Sequence, residues 1–143
     1  MTFKSDHFIL QEFVPKDIYD QWGEKSMWFI DQRIVELADG LREYFGKQIT
    51  INNWHTGGHF NYRGYRDPEC TQGAKQSQHR FGRGMDFNVQ GMTSDEVYDA
   101  IMEHEKAFMA MGITTMENKL HTVGWTHVDI RNHGMDQILI VNP

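Results

Sequence analysis

One short segment restricts what this chain can fold into more than any other: Ser77-Gln78-His79-Arg80-Phe81-Gly82-Arg83-Gly84-Met85-Asp86. His79 and Asp86 are too far apart to share one helical face at the usual i, i+3 or i+4 spacing. A turn at Gly82 to Gly84 instead folds His79 back over the start of a strand that carries Asp86. Glycine suits that turn because tight turns need backbone freedom and close approach. Far downstream, Trp125-Thr126-His127-Val128-Asp129 has a strand pattern. Residues two apart on a strand share a face, so Trp125, His127 and Asp129 point the same way. Where the two segments meet, two histidines and a carboxylate converge. That donor set suits one zinc ion with a coordination position left open, the mark of a catalytic rather than a structural zinc. The expectation is a hydrolase.

Composition narrows the alternatives. A chain of 143 residues suits one domain, residues 1–143, with a single core, and its 39% hydrophobic and 13% aromatic content can fill one. The formal net charge of -6 argues against a dedicated nucleic-acid binder, despite Arg80 and Arg83 beside the motif. A histidine-metal nuclease, suggested by His55, His59 and Asn132-His133, is disfavoured by the same charge. Cys70 is the only cysteine, so an intramolecular disulfide and a cysteine-rich zinc site are both excluded. Any metal must rest on histidines and carboxylates, and Cys70 reads as a loop residue. The N-terminus lacks a basic start followed by an apolar run, so no signal peptide is expected. No apolar stretch approaches the ~20 residues of a membrane span. The expected location is the cytoplasm at synthesis, or the cell wall after delivery by another route.

The elements follow from periodicity and punctuation. Pro15 to Gly23 predicts a short helix, opened by proline and stopped by glycine. Ser26 is expected to cap a longer helix through Trp28, Ile34, Leu37, Leu41 and Phe45, ending at Gly46. Trp28 and Phe45 are assigned to the core. Ile49 to Trp54 predicts a buried strand. The stretch from His55 to Gln76 is a long loop of the kind that is often functional. Met85 to Val89 is a strand. Thr93 and Glu96 form a capping box for a helix running to about Met111. Three strands follow, over Ile113–Glu117, Val123–Arg131 and Gln137–Val141. The fold class is α+β, a small antiparallel sheet with N-terminal helices and one later helix packed on it.

With these residues in place, the chain resembles the zinc D-Ala-D-Ala carboxypeptidases and endolysin peptidases of the M15 class, in the short branch found in bacteria and phages. The resemblance spans most of the chain. It includes Asn52-Asn53-Trp54, Gly57-Gly58, Tyr62 to Arg66, Ser77 to Asp86, Glu117, and Trp125 to Arg131. It implies a hedgehog/DD-peptidase-like fold, zinc as cofactor, and His79, Asp86 and His127 as its ligands. It also implies the peptide stem of peptidoglycan as substrate and a monomeric chain. An arginine before the zinc motif, Arg63 or Arg66, would polarise a substrate carbonyl or pair with a terminal carboxylate. Ser77 is expected to bond locally to the turn or to touch substrate. Trp54 and Trp125 either pack in the core or wall the cleft.

The resemblance departs at one position. Better-known members place an acid three residues before the last zinc histidine, and this chain has Gly124 there. The general base must then come from Glu117 or Asp129, with Asp129 also placed to orient a ligand. A module that keeps the metal and loses catalysis is the alternative that Gly124 favours. His55, His59, His121 and His133 have no assigned role, with His121 and His133 candidates for the cleft, and His7 and His104 are expected to face solvent.

Overall fold

The computed structural model describes residues 2–143. The described residues form four α-helices and an open five-stranded sheet of order β1-β2-β4-β3-β5. The helices are α1 (Lys16–Trp22), α2 (Gln32–Phe45), α3 (Ser94–Glu103) and α4 (Glu105–Met111). The strands are β1 (Ile49–Thr50), β2 (Gly84–Val89), β3 (Thr115–Glu117), β4 (Thr126–Asp129) and β5 (Leu139–Val141). The α+β class expected from the sequence is the one observed. No helix among the described residues is long and apolar enough to cross a membrane.

The period of two explains how one sheet serves both core and site. On β2, Met85, Phe87 and Val89 turn into the core, while Asp86 and Asn88 face the other way. Met116 on β3 and Val128 on β4 join that core, where they meet Leu37 and Leu41 of α2, Ile101 of α3 and Phe108 of α4. Each such side chain, fully buried, stabilises the fold by roughly 1.5–3 kcal/mol. Helices therefore cover one face of the sheet, and the opposite face is left for Asp86, His127, Asp129 and Glu117.

Four expectations change in detail. Ser26 does not cap α2. It lies inside a 3-10 stretch, Gly23–Phe29, where its hydroxyl donates to the Gly23 carbonyl. The cap is Asp31, whose carboxylate accepts from the Arg33 amide at 3.0 Å. Trp28 thus precedes the helix and is 55% exposed rather than core, whereas Phe45 packs against the core as expected. The later helix is two helices, broken at His104, although its Thr93–Glu96 capping box forms as read. The sheet has one parallel pairing, β3 with β5. Its remaining pairings are antiparallel. β4 and β5 run in opposite directions with β3 between them. β3 opposes β4, so β5 must run with β3.

Two strands are shorter than their sequence patterns. β1 stops at Thr50 because the next residues bond elsewhere. The Asn52 amide donates to Glu12 O at 3.1 Å, and the Asn52 and Trp54 side chains both donate to Val14 O. β4 is flanked by turn, and Val123, expected in the strand, is 79% exposed.

The far part of the long loop is gathered by one side chain. The guanidinium of Arg80 donates to the carbonyls of Asp67, Pro68, Cys70 and Ala74 at 2.7–3.3 Å. A planar fork with five donors can satisfy several loop carbonyls at once. Cys70 is a half-buried residue of this loop, as expected.

Candidate metal centre

His79 lies in a 3-10 turn, Gln78–Phe81, capped by Ser77, whose hydroxyl accepts from the His79 amide at 3.4 Å. The turn closes at Gly82, which has φ +66°. A Cβ there would stand 2.1 Å from the Phe29 carbonyl oxygen, so both backbone conformation and space require glycine. The chain then enters β2 at Gly84, and His79 folds back over Asp86 as expected. β2 and β4 pair so that Asp86 stands opposite His127. Continuing the β3–β4 register one step places Glu117 on the other side of His127.

His79, Asp86 and His127 each offer one ligand atom, all within 4.8 Å of one another. All three residues are buried. Asp86 Oδ1 is 3.2 Å from His79 Nε2 and 2.8 Å from His127 Nδ1. Ligands at zinc's ~2.1 Å distance in a tetrahedron stand about 3.4 Å apart, so the two carboxylate–imidazole pairs would open by about 0.2 and 0.6 Å to hold an ion. The outer nitrogens are also arranged for a metal. His79 Nδ1 donates to Gly64 O at 2.8 Å, and His127 Nε2 donates to Asp129 Oδ2 at 3.0 Å. Each bond keeps the outer nitrogen protonated, so the inner nitrogen is the one that can turn a lone pair to an ion. The Gly64 carbonyl reaches His79 because Gly64 passes against Phe13, where a Cβ would lie 2.3 Å from the Phe13 oxygen. The residues therefore fit a metal ion of the kind bound by two imidazoles and a carboxylate.

Electrostatics matches this geometry. Burial acts to raise the pKa of Asp86, but the imidazoles of His79 and His127 outweigh it and hold the carboxyl well below the usual range. Burial likewise acts against ionised Asp129, and Arg131 and His127 override it. For His127 burial opposes charge, yet hydrogen bonds to Asp129 and Asp86 push its pKa up to about 10. Without metal, His127 thus holds a proton that an ion must displace. Zinc uptake at pH 7 is expected to release about one proton from His127, with affinity rising about tenfold per pH unit between pH 6 and 8. Calorimetry in buffers of different ionisation heat reads this directly, and zero proton release would show that His127 is already neutral in the metal-free protein at pH 7. Metal-free stability runs the opposite way with pH. His127's contribution is complete below its ordinary value of 6.5 and is lost as pH rises toward about 10. Those of Asp86 and Asp129 are present above 3.8 and lost in acid.

Two cavities flank the cluster. One of about 270 Å³ is lined by Phe60, Tyr62, Arg63, Arg66, Asp86 and Trp125 among others. The second, about 420 Å³, is lined by Arg66, Ser77, Gln78, Glu117, His127 and Arg131 among others. Arg66 borders both. Its Nε donates to Tyr62 O at 2.8 Å and its Nη2 to Asp86 Oδ2 at 3.2 Å. A further cavity of about 750 Å³ lies by Cys70 and Arg80 and touches none of the three donors.

The structure brings every sequence-derived site residue to this region, in different capacities. Glu117 lines the larger of the two flanking cavities, and its side chain makes no hydrogen bond among the described residues. Asp129 is wholly buried, and both its oxygens are occupied, by Arg131 on one side and by Arg131 with His127 on the other. Arg63 stacks on Phe60, 3.5 Å from the ring centre, and donates to Asn88. Trp125 is half-buried in the smaller cavity wall. Trp54, also half-buried, lines neither cavity. Gly124 is exposed at φ +95°, with its carbonyl accepting from Asn88 Nδ2 at 2.7 Å. His59 joins the smaller cavity, while His133 bonds to the Thr114 carbonyl and His121 is exposed, so neither lines the cleft. His7 and His104 are exposed, as expected. Sequence reasoning assigned Arg131 no part in the site. The Asp129-x-Arg131 spacing on a strand was the available signal. The Gly64 carbonyl carries no sequence signal at all.

Comparison of the chain with family models, with curated proteins and with solved structures finds no match. What the fold defines is a buried His–Asp–His cluster able to hold a metal ion.

Proposed function

We propose that this chain is a zinc-dependent peptidase that hydrolyses amide bonds in the peptide stems of the bacterial cell wall. The observation that carries the reading is the His79–Asp86–His127 cluster beside a cavity that also presents Glu117. Its two nitrogens and one carboxylate, without sulfur, suit zinc with a position left open. The sequence resemblance supplies the substrate class.

A bound zinc ion supplies Lewis acidity that polarises a carbonyl and brings the pKa of water toward neutrality. Glu117 accepts the proton of the attacking water and returns it to the leaving amine, so the two halves depart as acid and amine. Arg66, bordering both cavities, holds the carbonyl oxygen of a chain lying across them. Asp129 orients His127 and does not serve as base, because its lone pairs are already used.

A zinc-binding module without catalysis is the second reading, favoured by Gly124 at the position where the family carries its acid. Incubating the zinc-loaded protein with purified muropeptides distinguishes the two. The peptidase reading expects a new free amine by mass spectrometry, lost on chelation and restored by zinc. A fully zinc-loaded protein that cleaves no muropeptide would leave the module reading standing.

A further inference from the structure

We propose that Arg131 is a positioning residue for the metal, acting through Asp129 to determine which nitrogen of His127 becomes the ligand. The inference rests on the metal-binding part of the function proposed above.

The two imidazoles of the cluster present different nitrogens. His79 turns Nε2 inward and His127 turns Nδ1 inward. They are steered by different means. A backbone carbonyl, Gly64 O, holds the outer nitrogen of His79, and a side-chain carboxylate, Asp129, holds that of His127. A carbonyl is fixed by the chain path. A carboxylate is fixed only by what holds it.

Arg131 holds it from three directions. Its Nε donates to Asp129 Oδ1 at 2.9 Å, its Nη2 to Oδ2 at 2.6 Å and its backbone amide to Oδ1 at 3.2 Å. A bidentate guanidinium fixes the plane of the carboxylate as well as its charge. In that plane Oδ2 points at His127 Nε2, which keeps the proton there and leaves Nδ1 facing Asp86. Asp129 is completely buried, so water cannot replace the guanidinium as its partner. The fork also uses the lone pairs with which Asp129 would otherwise compete as a ligand.

The test uses the full chain with Arg131→Gln and Arg131→Lys. Zinc affinity is measured by competition with a chromophoric chelator, and imidazole nitrogen-15 NMR of the zinc-loaded protein reads each tautomer. Arg131→Gln is expected to weaken zinc binding about 10–100-fold. The His127 signals should depart from a single Nε2–H form while those of His79 stay unchanged. Loss of mere structural support would disturb both histidines alike. Arg131→Lys should recover part of the affinity, since an ammonium keeps the charge without the fork. Wild-type affinity and an unchanged His127 tautomer in folded Arg131→Gln would overturn the proposal. If that variant does not fold, the same result in Arg131→Lys overturns it. A wild-type protein that binds no zinc sinks this inference with the metal reading. One that binds zinc and cleaves nothing sinks only the peptidase and leaves Arg131's role standing.

Discussion

Replacing His79 with alanine is expected to weaken zinc binding by about two to three decades. Protein zinc sites with a full ligand set return roughly 10–16 kcal/mol, and an even share is about 3–4 kcal/mol per ligand. The loss should not be softened by a neighbour. Asp86 and His127 are the other two donors; of the two carboxylates beside them, Asp129 is held by Arg131 and Glu117 lies outside the converging set. The variant also removes the donor to the Gly64 carbonyl, which costs about 0.5–1.5 kcal/mol of stability by itself. Metal analysis of protein purified without chelator, with thermal melts in chelator alongside, separates the two effects. A His79→Ala protein that retains a full equivalent of zinc would remove the cluster as the metal centre. An unchanged melt in chelator alone would mean only that the Gly64 bond contributes little.

The second large effect is on turnover. Glu117→Gln keeps the shape of the side chain and removes its ability to take a proton. General-base loss of this kind costs about 10²–10⁴ in rate. Because Glu117 stands at the end of β3, outside the three donors, zinc content should stay at the wild-type level. A fall in kcat with KM little changed is the expected pattern, since the carboxylate acts on the attacking water rather than on the bound peptide. Undiminished kcat in Glu117→Gln would strike Glu117 from the mechanism. Asp129 could not readily take its place, with Arg131 and His127 on its oxygens.

Much of the architecture was legible because its signals are local. Apolar residues at steps of three and four give α2, the alternation of Met85, Phe87 and Val89 gives β2, and Thr93 with Glu96 gives the start of α3. The errors share a cause. Ser26 resembles a helix cap, but its hydroxyl finds the Gly23 carbonyl and the helix waits for Asp31. Ile51 to Trp54 looks like strand, yet Asn52 and Trp54 bond to the N-terminal segment Glu12–Val14 and Asn53 bonds to Phe60 of the long loop. In each case the partner that decided the outcome is not marked in the segment itself. The parallel β3–β5 pairing is of the same kind, since it depends on where a connection passes and not on strand composition.

For the centre, the sequence alone determined the three donors, the turn that returns His79 to Asp86, and the absence of an acid at position 124. Those depend on residue type and short spacing. Only the tertiary structure decided which nitrogen each histidine presents, that Asp129 is tied to Arg131, and that Glu117 shares a cavity with His127. A tautomer is chosen by the acceptor on the far side of the ring. For His79 that acceptor is a backbone carbonyl from another loop, which the amino-acid alphabet does not encode.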